Sequence, residues 1–214
     1  MARLILIAGG SSSGKTTISK AISESLNGLT VSLISMDEYY KDVSNLSASD
    51  IDSYNFDHPD AIDFKSLERD ICKAIANNEI SIPSYDFISH KSIPDSITVP
   101  KSDVILLEGI FALYYEPLIN HADLKLFVDA EADIRLARRI LRDLNERGDN
   151  TKDVLNKYMN NVKKMHDSFI EPTKKKADII IPGESSFDVA LDLINGYLIK
   201  RVIDNEISKC NNRH

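Results

Sequence analysis

Gly9-Gly10-Ser11-Ser12-Ser13-Gly14-Lys15-Thr16 is the stretch that decides the fold. It follows the unbroken apolar run Leu4-Ile5-Leu6-Ile7-Ala8, which reads as a strand buried on both faces, and it opens a helix from Lys15 to about Leu26. The eight residues fit the pattern G-x-x-x-x-G-K-[ST]. Small residues let the backbone curl so that its N–H groups converge on phosphate oxygens. The helix that follows offers its positive N-terminal end to the same anion. Lys15 supplies a point charge for the β- and γ-phosphates, and the Thr16 hydroxyl suits Mg²⁺. Gly9, Gly10, Ser11, Ser12, Ser13, Gly14, Lys15, Thr16 and Thr17 are therefore the candidate nucleotide-binding residues. A Gly/Ser-rich turn that matched by accident need not sit between a strand and a helix. The motif by itself specifies a nucleotide and leaves the reaction open.

Downstream, strand-like and helical patterns alternate. Val31–Ser35 reads as a strand, and residues 38–62 as a long polar and aromatic loop. Phe64, Leu67, Ile71 and Ile75 mark a helix. Ile80–Val99, with Pro83 and Pro94 inside it and Pro100 closing it, reads as a hairpin-like flap. Strands at Val104–Leu107, Leu124–Val128 and Ile179–Ile181 alternate with helices at Ile134–Arg147, Val154–Met165 and Phe187–Ile203. This order predicts an α/β fold of the P-loop NTPase type: a parallel sheet with helices on both faces, a small β flap and an arginine-bearing lid helix. A single domain over residues 1–203 is expected, with the flap at about 80–100, the lid at about 131–150 and a frayed polar tail over 204–214.

Composition narrows the class. Of 214 residues, 43% are hydrophobic and 28% charged, enough for a sizeable core. The 26 basic and 33 acidic residues give a net charge of −7, which argues against a protein that coats nucleic acid. Cys72 falls at helical spacing with Leu67, Ile71 and Ile75, and Cys210 lies in the polar tail. Without a pairing or metal-ligand spacing, the two fit a reducing cytoplasm. The apolar start is too short for a signal h-region, and no apolar run approaches the ~20 residues that span a bilayer.

Three further features bear on the reaction. The guanine-reading N-K-x-D fails, since Asn156-Lys157-Tyr158-Met159 lacks the Asp. The strand Val104-Ile105-Leu106-Leu107 ends in Glu108-Gly109, where a carboxylate can organise Mg²⁺ and its waters or cap the strand end. Asp37 follows the second strand. Because C-terminal strand ends line one crevice, it should face the phosphates and could accept a proton from an attacking hydroxyl. Arg135, Arg138, Arg139 and Arg142 share one helix face, with Ile134, Ala137, Ile140, Leu141 and Leu144 opposite. That face reads either as solvated, with Asp143 meeting Arg139 and Glu146 meeting Arg142, or as a lid clamping the transferred phosphate, with Arg147 added.

Asn55-Phe56-Asp57-His58-Pro59-Asp60-Ala61, together with Pro83-x-Tyr85-Asp86-Phe87-x-x-His90, resembles the uridine–cytidine kinase family. Leu107-Glu108-Gly109-Ile110, Leu126-Phe127-Val128-Asp129, Arg138-Arg139-x-x-Arg142-Asp143, Glu146-Arg147-Gly148 and Pro172-Thr173-Lys174-Lys175 extend the resemblance to about Pro182. The resemblance implies ATP, or GTP, as phosphate donor with Mg²⁺, and a pyrimidine nucleoside as acceptor. Asp37 would take the 5′-hydroxyl proton and Asp57 would bind the ribose. Tyr40 would pack at the nucleoside, Tyr85 and His90 would meet the ring, and Phe87 would stack nearby. Arg139, Arg142 and Arg147 would close over the phosphates, and Glu108 would organise Mg²⁺ through water. A homotetramer and inhibition by CTP are implied by the resemblance alone. Departures from the family pattern are Asp149 in place of Arg, Lys157 in place of Gln, Ser92 in place of a basic residue, and Gly183-Glu184 in place of Arg-Gly. Two other readings stay open: a sister kinase for another small hydroxyl compound, and a catalytically silent nucleotide-binding regulator.

Overall fold

The computed structural model describes residues 1–146, 148 and 150–211. The strands are β1 (Arg3–Gly9), β2 (Val31–Ser35), β3 (Ile80–Asp86), β4 (Lys91–Val99), β5 (Val104–Glu108), β6 (Leu124–Asp129) and β7 (Ile179–Pro182). The helices are α1 (Lys15–Ser25), α2 (Ala48–Ser53), α3 (Phe64–Ile75), α4 (Glu116–Ile119), α5 (Ala132–Glu146), α6 (Thr151–Lys157), α7 (Lys163–Met165) and α8 (Asp188–Asn211). Five strands form an all-parallel sheet in the order β2-β5-β1-β6-β7.

Alternation along β1 explains the layers. Leu4, Leu6 and Ala8 enter a core with Leu67 and Ile71 of α3 and with Ile170. Ile5 and Ile7 point the other way, onto Ile18 and Ile22 of α1 and Ile194 and Leu198 of α8. A strand buried on both faces has to read as a continuous apolar run, and this one does. β1 is flanked by β5 on one side and β6 on the other, so a crevice opens beyond its C-terminal end. The Gly9–Thr16 loop occupies that crevice.

The flap forms as expected. β3 and β4 make an antiparallel hairpin whose register slips between Ile82 and Ser84, where Pro83 has no N–H to give the ladder. Val43 N–H donates to His90 O at 3.2 Å and Ser92 N–H to Asp42 Oδ2 at 3.2 Å, tying the flap to the 38–62 segment.

Other elements differ from expectation. The segment expected to be one long loop contains α2 and two 3₁₀ turns, Met36–Tyr39 and Pro59–Ala61. Each begins at a side-chain cap: Ser47 for α2, Ser35 for the Met36–Tyr39 turn and His58 for the Pro59–Ala61 turn. The helix expected at Val154–Met165 is α6 and α7 interleaved with π turns at Tyr158–Val162 and His166–Ile170, closing in a 3₁₀ turn at Glu171–Lys176. Its buried residues Tyr158, Val162, His166 and Ile170 recur every four positions. An α-helix would rotate that stripe by roughly 40° per step, and wider π turns hold it on one face. The last helix continues to Asn211, past the Ile203 boundary, with no glycine or proline between Tyr197 and Asn211 to stop it.

His166 is buried in this helical segment. Burial pushes its pKa down to about 4, the Arg135 charge adds to the shift, and Glu171 opposes it at 3.4 Å. Its folded pKa lies below the ordinary 6.5, so the unfolded chain takes the proton first. The stability tied to the neutral ring is complete above pH 6.5 and is lost as pH falls towards 4. The loss amounts to roughly 3 kcal/mol. His166→Phe should flatten the fall in Tm between pH 6.5 and 4 relative to the parent protein, as thermal melts across that range would measure.

Candidate active site

The loop is built on left-handed backbone. Gly9 has φ 148° and Gly14 φ 102°, and a Cβ on Gly9 would run into the carbonyl of Val128. Ser13 N–H closes the turn onto Gly10 O at 3.1 Å, and the Lys15 ammonium donates to the same carbonyl at 2.9 Å. Burial pushes the Lys15 pKa down, with Glu108 and Asp37 opposing the shift. The loop, with Lys15, Thr16, Asp37, Glu108, Arg138 and Arg142, lines a cavity of about 290 Å³.

Glu108 is the last residue of β5, and β1 separates that strand from β6. Its carboxylate accepts from Thr16 Oγ1 at 3.1 Å and from Ser35 Oγ at 3.5 Å. Burial pushes its pKa up, the Lys15 charge pulls it back, and Asp37 adds to the rise. Asp37 opens the 3₁₀ turn after β2, its own N–H held by Ser35 Oγ at 3.3 Å. The crevice argument therefore brings Lys15, Thr16, Glu108 and Asp37 into one cavity.

The predicted acceptor residues form an aromatic cluster between the flap and the 38–62 segment. The Tyr40 ring centroid lies 5.3 Å from Tyr85 and 5.9 Å from Phe87, and the Tyr85 hydroxyl lies 3.5 Å from His90 Nδ1. Burial pushes the Tyr85 phenol up to about 12, so it stays a neutral donor. Two participants carried no assigned role at the level of sequence. Phe56 stacks on His90 at 4.8 Å with 20° between the planes. Glu38 accepts the Tyr85 backbone N–H at 2.8 Å, and burial pushes its pKa up. Glu38 adjoins Asp37, so this bond links the flap to the segment carrying the candidate base.

Helix α5 is turned opposite to the solvated-face reading. Arg135, Arg139 and Asp143 are buried, whereas Leu141 is 62% exposed, with Ile134 and Leu144 also exposed. Ion pairs account for the inversion. Arg139 reaches Asp143 at 3.2 Å, Asp57 at 3.6 Å and Ser11 Oγ at 3.1 Å, spanning the phosphate loop and the Asn55–Ala61 block. Asp143 holds Arg142 at 2.9 Å as well as Arg139. Arg138, another arginine of the face read as a lid, lines the cavity and donates to Gly183 O at 2.8 Å. Arg147, Asp149 and the Glu146 side chain lie outside the described residues. Lys157 and Ser92 belong to exposed stretches of α6 and the flap, and Glu184 accepts from the Glu131 N–H at the start of α5.

Among the described residues no helix is long and apolar enough to cross a membrane, and no cluster of three or more His, Cys, Asp or Glu side chains forms a metal cage. The sequence model of the phosphoribulokinase/uridine kinase family matches residues 4–190. This chain belongs to that family. A uridine kinase of Staphylococcus haemolyticus (strain JCSC1435) is 44% identical over 191 residues, covering 89% of this chain and 92% of that protein. One from Staphylococcus carnosus (strain TM300) is 41% identical over 203 residues, covering 95% and 97%. D-glycerate 3-kinase from Cryptococcus neoformans superposes with a TM-score of 0.63 at 15% identity, covering 86% of this chain and 87% of that one. At that identity the likeness concerns the fold. Within the family, then, this chain has the P-loop kinase architecture, with the phosphate loop and a carboxylate-bearing second strand end on one crevice.

Proposed function

We propose that this protein transfers the γ-phosphoryl group of ATP to the 5′-hydroxyl of uridine or cytidine, giving UMP or CMP and ADP. The observation that carries the proposal is the meeting of Lys15, Asp37 and Glu108 in one cavity, on a segment that continues into the Tyr40–Tyr85–His90 cluster. The uridine kinases above, similar over nearly the whole chain, support the choice of acceptor.

Asp37 accepts the hydroxyl proton as the oxygen attacks the γ-phosphorus in line, and ADP leaves. Lys15 and the guanidiniums of Arg138 and Arg142 meet the charge that builds on the phosphoryl oxygens. Arg147 is proposed to join them. Asp57 and Arg139 take the ribose hydroxyls, and Tyr85 and His90 present a neutral donor and a ring nitrogen to the pyrimidine edge, beside the faces of Tyr40 and Phe87.

The Thr16 hydroxyl and the Glu108 carboxylate supply hard oxygen donors, and the mutual repulsion of Glu108 and Asp37 is what a divalent cation would offset. These groups fit Mg²⁺ and would hold it, and the bound ion would supply charge neutralisation for the phosphates. The free Cys72 and the need for MgATP support a cytoplasmic site of action. The apolar residues that α5 turns outward give the homo-oligomer implied by the resemblance a physical motive.

The deciding experiment is coupled ADP release with MgATP and uridine, cytidine, thymidine or no acceptor. Turnover should depend on uridine or cytidine. Release without acceptor would make the protein an ATPase, and ATP binding without any release would make it a silent binder.

A further inference from the structure

Arg135 stands one turn before Arg139 on the inward face of α5 and is only 6% exposed. Its Nε donates to Ala130 O at 3.0 Å. Among the described residues it forms no ion pair; Glu171, beside His166, meets His166 and Lys174, and Asp129 meets Lys174. Its guanidinium lies against the outer side of the phosphate loop, where a Cβ placed on Gly10 would come within 2.5 Å of Nη1 and 3.0 Å of Cδ. A side chain on Gly10 would therefore have to displace the Arg135 guanidinium. The Gly10 carbonyl is also the acceptor of the Lys15 ammonium, so two cations converge on one residue of the turn. Both Lys15 and His166 have their pKa values depressed in part by the Arg135 charge, each after the larger influence of burial.

A buried guanidinium without a carboxylate, close to a buried lysine, is costly for the unliganded protein. Charges so placed become favourable when an anion arrives, and the loop they share is shaped for one. We propose that Arg135 is a positioning residue for the donor nucleotide: it braces the Gly10 turn from outside, and its charge is balanced by the bound polyphosphate and not by the protein. The inference rests on reading the loop as the ATP site. It gives Arg135 a part distinct from the cavity-lining Arg138 and Arg142, since Arg135 acts through the loop backbone and the field within it.

The test compares the parent protein with Arg135→Met and Arg135→Lys in the full chain, measuring apo Tm, the Kd for MgADP by calorimetry, and KM for ATP and for uridine. Arg135→Met should weaken MgADP binding and raise KM for ATP about tenfold or more, with KM for uridine unchanged and apo Tm equal or higher. Arg135→Lys keeps the charge and should recover most of the affinity. Gly10→Ala, which displaces the guanidinium, should reproduce the loss of affinity should Arg135→Met not fold. A lowered apo Tm with parent-like MgADP affinity would overturn the inference and leave Arg135 a structural brace. Equal rises in KM for ATP and uridine would overturn it too. If the parent protein itself bound neither MgADP nor MgATP, the nucleotide reading would fall first, a result that can be told apart from parent binding shared equally by Arg135→Met.

Discussion

Asp37→Asn should lower kcat with uridine by roughly 10²–10⁴-fold, the range that a positioned general base contributes. The substitution keeps the size and shape of the side chain and leaves the Asp37 N–H bond to Ser35 available, so the 3₁₀ turn after β2 should persist. What changes is the ability to take a proton, together with one negative charge in the cavity. That charge now helps to keep Lys15 protonated and raises the pKa of Glu108. Its removal takes repulsion away from the site of an incoming polyphosphate, so MgADP should bind the variant as tightly as the parent or more tightly. Falling turnover with undiminished nucleotide affinity is the signature of a base. A kcat within tenfold of the parent would reduce Asp37 to a turn-forming residue and move the proton acceptor elsewhere in the cavity. Coupled ADP release and calorimetry on one preparation would give both numbers.

The parts of this site legible in sequence are those where one local rule fixes geometry. β1 had to be apolar on both sides, and a Gly-rich turn between it and α1 had to present N–H groups. A carboxylate at the end of a neighbouring strand had to reach the same crevice, and Asp37 and Glu108 both line that cavity. The flap was legible from prolines bounding short β-like pieces, and its register slip sits at Pro83. Helix α5 defeated the amphipathic rule, because Arg135, Arg139 and Asp143 form the inward face and Ile134 and Leu141 the outward one. Hydrophobicity assigns the apolar stripe to the core, whereas here the core-facing partners are a charged loop and acids spaced to pair with arginine. Asp143 signals this, standing four residues after Arg139 and next to Arg142. The π turns left a fainter trace, the strict spacing of four through Tyr158, Val162, His166 and Ile170. Phe56 and Glu38 carried none that periodicity could use, since each meets its partner across separate segments of chain.

Lys15→Met should reduce kcat/KM for ATP by at least 10²–10³-fold, the loss expected when one charge-stabilising donor leaves a preorganised site. The effect should exceed simple loss of a phosphate contact, because Lys15 is also the group that pulls the Glu108 pKa down. Without it, burial and the Asp37 charge act on Glu108 unopposed except by the Thr16 and Ser35 hydroxyls. Its carboxyl then holds a proton to higher pH and is a poorer oxygen donor to Mg²⁺. This second effect has its own pH signature. A carboxyl whose folded pKa lies above the unfolded 4.5 contributes stability that is full below 4.5 and is lost as pH rises through the folded value. Lys15→Met raises that folded value further, so the Tm of the variant should fall away from that of the parent as pH climbs from 4.5 towards neutrality. Adding Glu108→Gln to Lys15→Met should remove the divergence, since the amide has no proton to lose. If the Tm gap between Lys15→Met and the parent stayed constant with pH, the coupling of Lys15 to Glu108 would be refuted, and the lysine would act on the phosphates alone.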